Sequence, residues 1–302
     1  VAVLTLKQAM TPAQIGVLTV PSSDLGSLSE ATTLITAKPG STDALTLAET
    51  QTVTNLSNPP FLLEDFSTYS STANWIADPR GIYSTAEDVN TAQMVLDTTV
   101  GCTPAGTSQT GRYDFPDRSG DVQGPLTGRC GDYTIGRNLS LPATITEGWF
   151  SFYHKSDSFF KTLAPSGWGC NSAAAYKTWF GRTDVSRYNL VLGIFGETAD
   201  YTWSAGPGNQ EPADFPLTWT PFDGAWHYYQ MHCKIGSGSN GICNLAVDGV
   251  VKKTNTGLSA GGASDIYGIA IGRNMNQGPG TVQSEWWGPI ACYTSDPWSG
   301  LV

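Results

Sequence analysis

The stretch Phe222–Val250, FDGAWHYYQMHCKIGSGSNGICNLAVDGV, decides the fold. Read at period two, His227, Tyr229, Met231, Cys233 and Ile235 fall on one face of a strand. Trp226, Tyr228, Gln230, His232 and Lys234 fall on the other. The first set is mostly apolar and should face a core. GSGSNG follows, a cluster of turn formers that ends the strand. A second arm puts Cys243, Leu245 and Val247 on one face, and Asp248-Gly249 makes the next tight turn. The stretch is therefore a β-hairpin with both cysteines on its inward face. Opposed strands bring such a pair within bridging distance, which predicts a Cys233–Cys243 cross-strand disulfide.

The composition around the hairpin points the same way. Only 14% of the 302 residues are charged, well below the usual quarter or so. Gly, Ser, Thr, Asn and aromatics fill the gap, which suits many short strands joined by turns. A net charge of −10 argues against nucleic acid and anionic membrane surfaces as partners, since phosphates call for clustered Lys and Arg. No apolar run approaches the roughly 20 residues of a spanning helix. The six cysteines form no C-x-x-C pair, which sets aside zinc-ribbon and thioredoxin readings and favours structural disulfides formed outside a reducing cytosol. Residue 1 is Val and no leader is visible; a removed leader and a cut fragment both predict that start. Sequons stand at Asn55 and Asn138.

Residues 1–58 differ from the rest. They hold no Phe, Trp, Tyr or Cys, and 17 of them are Ser or Thr. Short apolar pieces such as VAVLTL and IGVLTV can each pair as a strand, yet together they cannot close a core. A disordered linker and a small N-terminal domain are the plainer readings. The one favoured here is an extended arm that docks on neighbouring subunits by adding strands to their sheet edges. Asn58-Pro59-Pro60 is the boundary, and the globular domain runs over 59–302. Further strands are expected at Trp75–Tyr83, Ala92–Leu96, Gly111–Pro116, Tyr133–Leu141, Glu147–His154, Asn189–Phe195, Ile266–Ile271 and Ile290–Tyr293. Ser172–Tyr176 is expected to make a turn of helix, and Ala199–Thr220 a Pro- and Gly-rich loop carrying Trp203 and Trp219. Cys102 and Cys130 bracket a loop poor in apolar residues and are expected to staple it; Cys170 and Cys292 are left to each other by subtraction.

The hairpin also resembles the laminin-G and concanavalin A-like jelly rolls, in its Asp-Gly-x-Trp-His strand and its second strand ending in Val-Asp-Gly. The resemblance continues in IYGIAIGRNMNQGP (Ile266–Pro279), in WWGPIACYTSDPW (Trp286–Trp298) and in LLEDFSTYSST (Leu62–Thr72), which is similar to the opening strand of bacterial and phage proteins of this class. It covers residues 61–302 and implies an all-β, two-sheet antiparallel jelly-roll sandwich. That fold hosts lectins, glycosidases, polysaccharide lyases and inert display domains.

Retaining glycosidases of this fold carry Glu-x-Asp-x-x-Glu on one strand, and no stretch matches it: Glu147, Glu197, Glu211 and Glu285 each lack a second acid at strand spacing. A polysaccharide lyase needs a base for the proton beside a uronate carboxylate and a group that neutralises that carboxylate. Gln230-Met231-His232 echoes the Gln-x-His of alginate-lyase jelly rolls, but their Arg-x-Glu-x-Arg and Tyr-x-Lys motifs are missing, and a solvent-facing strand histidine is the plainer reading of His232. His227 and His154 read as hydrogen-bonded buried residues. No Gly-x-Ser-x-Gly elbow and no His-x-His pair occur, which counts against a serine hydrolase and a catalytic zinc. Asp114, Asp117 and Asp121 lie close together in DFPDRSGD and are a candidate structural calcium site, with a merely solvated loop as the alternative. No other cofactor is expected.

Binding is the reading the composition favours, since ring faces pack on sugar C–H surfaces while amides, Arg and Asp bond the hydroxyls. The candidate glycan contacts are Trp203, Trp286 and Trp287 in loop-like or chain-end contexts, and Tyr228, His232, Arg273 and Asn274 where this fold presents its outward face. The expectation is a non-catalytic, lectin-like domain held by its arm to copies of itself or to capsid or surface subunits, on a virion surface or otherwise outside the cell. A jelly-roll lyase or hydrolase and a purely structural capsid decoration protein are the alternatives.

Overall fold

The computed structural model describes residues 59–84, 90–117, 133–158, 175–183, 190–195, 202–207, 222–236, 239–258, 264–276, 281–298 and 300–302. The chain divides into two units, Val1–Pro59 and Pro60–Val302; the expected arm, 1–58, lies outside the described residues. The second unit is nearly all β. Its strands are β1 Leu62–Glu64, β2 Met94–Asp97, β3 Thr110–Phe115, β4 Tyr133–Thr134, β5 Arg137–Ile145, β6 Glu147–Ser156, β7 Ala175–Thr183 and β8 Leu190–Phe195. There follow β9 Thr202–Pro207, β10 His227–Lys234, β11 Gly241–Val247, β12 Val250–Lys253, β13 Thr256–Leu258, β14 Ile266–Asn276 and β15 Gln283–Tyr293.

Two antiparallel sheets result. The first has nine strands in the order β12-β11-β10-β6-β15-β3-β2, with β1 also on β15 and β13 also on β11. The second has six, β4-β14-β7-β8-β9, with β5 also on β14. Only some neighbours are consecutive; β6 lies between β10 and β15, and β15 between β6 and β3. These long-range pairings with two facing sheets make the molecule a jelly-roll β-sandwich.

The hairpin forms as its alternation demands. Tyr229, Met231 and Cys233 on β10 and Cys243, Leu245 and Val247 on β11 join the core, beside Phe150 and Phe152 of β6 and Tyr113 and Phe115 of β3. Facing them from the second sheet are Leu139, Trp179, Ile269 and Ile271. Asp248 (φ 52) and Gly249 (φ 74) both take positive φ, the geometry of a two-residue hairpin turn whose twist matches the strands. Gly272 on β14 (φ +66) allows a close approach between the sheets: a Cβ there would stand 2.2 Å from the Tyr113 ring.

Three local expectations change. Trp75–Tyr83 is not a strand. A short helix, α1 (Thr72–Ala77), forms where the Ser71 hydroxyl accepts from the Asn74 N–H and Asp78 closes the other end in the left-handed region. Trp75 then points inward, stacked on Tyr113 and edge-on to Phe66. The expected 199–220 loop contains β9, which pairs Trp203 with Ile194; its remaining residues from 208 lie outside those described. Ala175 and Tyr176 belong to β7 and not to a helical turn, and 172–174 lie outside the described residues.

Candidate functional site

The side of the nine-stranded sheet turned away from the second sheet collects the polar and aromatic residues. Strand alternation puts Tyr228, Gln230, His232 and Lys234 of β10 there, opposite Tyr153, Ser151, Trp149 and Glu147 of β6. Beyond β6, Tyr293 pairs with Trp149, and Trp286 pairs with Lys155 on one side and Arg112 on the other. These residues form five successive rows. They span Glu147 to Lys155 along β6, about 27 Å at strand rise.

At one end the His232 ring stacks flat on Trp149, with centroids 4.4 Å apart and planes within 4°. His232 Nε2 lies 2.8 Å from Glu147 Oε1. A carboxylate only accepts, so the Nε2 proton is fixed there and Nδ1 is the other edge. Lys234 Nζ lies 3.1 Å from Glu147 Oε2. Burial raises the Glu147 carboxyl, but hydrogen bonds from His232 and Lys234 outweigh it and hold it below the usual range. Gln230 is 4% and His232 9% exposed, so this is a recessed floor and not the open strand face expected for His232. In the middle, Tyr153 stacks on Tyr228 at 4.6 Å. Burial and the neighbouring Tyr228 push Tyr153 up to about 12, so its hydroxyl remains a protonated donor near neutral pH.

At the far end the Trp286 indole donates to Asp97 Oδ2 (3.0 Å), and Lys155 Nζ sits 5.4 Å from the centre of the Trp286 ring. Asp97 also accepts from the Thr99 N–H (2.8 Å), the Thr99 hydroxyl (2.7 Å), the Val100 N–H (3.1 Å) and Arg112 (2.9 Å). Burial opposes ionisation of Asp97, but these donors prevail and lower it far below the ordinary carboxylate value. Arg112 is held between Asp97 and Asp114, at 2.9 and 3.0 Å.

The structure brings together three of the expected glycan contacts, Tyr228, His232 and Trp286, on this one face. Trp287 does not belong with them. It is 0% exposed, tilted against Phe152 and His154, and its indole donates to buried Glu285 (3.0 Å), which also meets His154 Nε2 at 2.8 Å. The register shifts between Trp287 and Ile290, so Gly288-Pro289 bulges and Trp287 and Ile290 both face the core. Arg273 and Asn274 lie on β14 and Trp203 on β9, all in the other sheet. The expected contact set is thus divided between two sheets. Trp149, Ser151, Tyr153 and Tyr293 were not among the expected glycan contacts, and Gln230 entered only through its Gln-x-His echo; the alternation of β6, already legible in the sequence, places the first three on one face.

The other site expectations fall out as follows. Asp114 Oδ1 accepts from the Ser284 hydroxyl (2.7 Å), its carboxylate also binds Arg112, and Asp121 lies outside the described residues. Among the described residues no group of three acid, His or Cys side chains is placed to hold a metal. Cys233 and Cys243 face each other as thiols with Sγ atoms 3.8 Å apart; Cys102 and Cys292 are buried thiols, and Cys130 and Cys170 lie outside the described residues. His227 is buried, with Nδ1 2.7 Å from Asp248 and Nε2 3.1 Å from Asp223. No helix among the described residues is long and apolar enough to cross a membrane.

Fold and face together define a jelly-roll sandwich with a recessed polar–aromatic floor on its larger sheet. Among solved structures, the chain is similar to alginate lyase Aly36B, with a TM-score of 0.51 and 9% identity over 78% of this chain and 97% of that one. A double mutant of the same lyase in complex with alginate trisaccharide gives 0.52 and 10% over 79% and 99%. An endo-β-1,4-glucuronan lyase from the fungus Trichoderma reesei gives 0.47 and 12% over 68% and 90%. At these identities the likeness is one of fold. No family model matches the sequence, and no curated protein does.

Proposed function

We propose that the outer face of the nine-stranded sheet binds a polysaccharide chain without cleaving it. The observation that supports this is the run of rows along β6, in which the hydroxyl and amide of Ser151 and Gln230 separate Trp149/His232 from Tyr153/Tyr228, and Lys155/Trp286 follows directly. Rings supply contact with sugar C–H surfaces, and the polar groups between them supply direction. Two features weigh against catalysis. Arg112 already faces two carboxylates, which leaves it poorly placed to neutralise a uronate, and Tyr153 is held as a phenol instead of a base.

The test is titration of the full chain against a panel of neutral and acidic polysaccharides. For a polysaccharide that binds, Trp149→Ala and Tyr228→Ala should each weaken affinity at least about tenfold, a loss of about 1.4 kcal/mol, with the fold retained. Unchanged affinity in both variants would remove this face from consideration.

A lyase is the second reading, favoured by Gln230 and His232 side by side and by Glu147 orienting His232 as a base is oriented. It is also the activity in the names of the Aly36B structures. Incubation with alginate and glucuronan separates the two: an ultraviolet-absorbing unsaturated product that disappears in His232→Ala would establish cleavage. The aromatic-free stretch 1–58 fits an anchoring arm, and we take the domain to be displayed outside the cell by it, on a particle or surface built from this or other subunits.

A further inference from the structure

We propose that Cys233 and Cys243 form a disulfide in the native protein, closed during folding by a disulfide-bearing oxidant. The two residues are directly opposite in the β10–β11 register. The type of pair matters as much as the register. The Asp248 N–H donates to the Tyr228 carbonyl (2.9 Å), so 228/248 is a hydrogen-bonded pair, and alternation makes 230/246, 232/244 and 234/242 hydrogen-bonded as well. Cys233/Cys243 is then a non-hydrogen-bonded pair. Two further bonds agree: the Cys243 N–H turns away from β10 to the Asn255 carbonyl (2.9 Å), and the Ile235 N–H turns toward the Thr146 carbonyl (2.8 Å), so alternation turns the Cys233 N–H toward β6 as well.

In non-hydrogen-bonded pairs the Cα atoms are about 4.5 Å apart and the side chains are at their closest. A disulfide spans Cα distances of roughly 4.4–6.8 Å. Both thiols are 0% exposed, on the same face, with sulfurs 3.8 Å apart. Side-chain rotation therefore closes the bond without moving the strands. The chemistry balances with glutathione disulfide or a protein disulfide: two thiols lose their hydrogens as protons, one S–S bond forms, and the oxidant's disulfide becomes two thiols. Timing follows from packing. The hydrogen bond with Cys243 and burial raise the Cys233 thiol, and no oxidant reaches a fully covered sulfur, so closure precedes final packing. The bridge would pin the register beside His232 and Asn244. It stands independently of the carbohydrate reading.

Trypsin tests it directly, because Lys234 lies between the two cysteines. The full chain, purified from an oxidising compartment or refolded with a glutathione redox couple, is alkylated without reduction and digested. Peptides 188–234 and 235–252 should emerge as one linked species, lighter than their sum by two hydrogens, that a reductant separates. Recovery of the two peptides unlinked and each alkylated, or either one linked to a different cysteine, overturns the proposal.

Discussion

Asp97 is where single-residue chemistry matters most to the candidate site. Its carboxylate joins the turn after β2 to Arg112 on β3 and Trp286 on β15, so it sets the far end of the floor. Burial opposes ionisation, but its hydrogen bonds prevail and lower its pKa in the fold below the about 3.9 of the unfolded chain. A depressed carboxyl contributes stability that is fully present above the unfolded value and is lost as pH falls through the folded one. Asp97→Asn should therefore melt below wild type at neutral pH, with the gap narrowing as pH drops below about 4. Thermal melts of both proteins across that range check it; an equal gap at every pH would mean that the charge of Asp97 contributes nothing. Trp287 teaches the opposite lesson at this scale. A Trp pair near the chain end reads as exposed, yet alternation with buried Gln283 and Glu285 turns Trp287 into the core, and the bulge at Gly288-Pro289 brings Ile290 to the same face.

At the scale of elements, α1 shows how local signals and distant partners divide the labour. Ser71 caps its start, but six residues are too few for a helix to persist alone. Its last carbonyls are satisfied from elsewhere: the fully buried Arg137 guanidinium on β5 donates to the Trp75 and Ile76 carbonyls and lies 3.8 Å over the Tyr83 ring. Arg137→Met would take this donor from both carbonyls, leaving Trp75 only the Asp78 N–H (3.1 Å) and Ile76 without its guanidinium partner. At about 1–3 kcal/mol for a buried polar group that loses its partner, the loss should be of that order. Urea unfolding measures it, and a loss below half a kcal/mol or so, within the ordinary scatter of surface changes, would refute the role. Strand edges were less legible than strand identities. β14 and β15 extend well past Ile271 and before Ile290 because pairing with β7, β6 and β3 continues where apolar alternation is weak.

For the molecule as a whole, the described core of the sandwich runs from Leu62 to Cys292 within the second unit. If that core is self-sufficient, removal of residues 1–58 should leave the unfolding midpoint of the sandwich unchanged. If the arm serves assembly, light scattering should find the full chain in a larger species and the chain starting at Pro59 as a folded monomer. Equal monomeric size for both would defeat the arm reading and leave a free carbohydrate-binding protein. The acidic balance of −10 also has a consequence at this scale. Glu147, Asp97 and Asp114 offset Lys155, Lys234 and Arg112 on the floor, so the face itself offers little net attraction to a polyanion.

The sequence alone determined the all-β class, the inward face of the hairpin, its Asp248-Gly249 turn and the opposition of Cys233 to Cys243. Those features depend on period-two alternation and turn chemistry, which are local. Tertiary structure decided which strands lie together. It placed β6 between β10 and β15, bringing Trp149 under His232 and Trp286 beside Lys155. It also put Arg273 and Asn274 in the opposite sheet from Tyr228 and sent Trp287 inward. Such pairings join residues far apart in the chain, and alternation says which way a side chain points but not which strand it will meet.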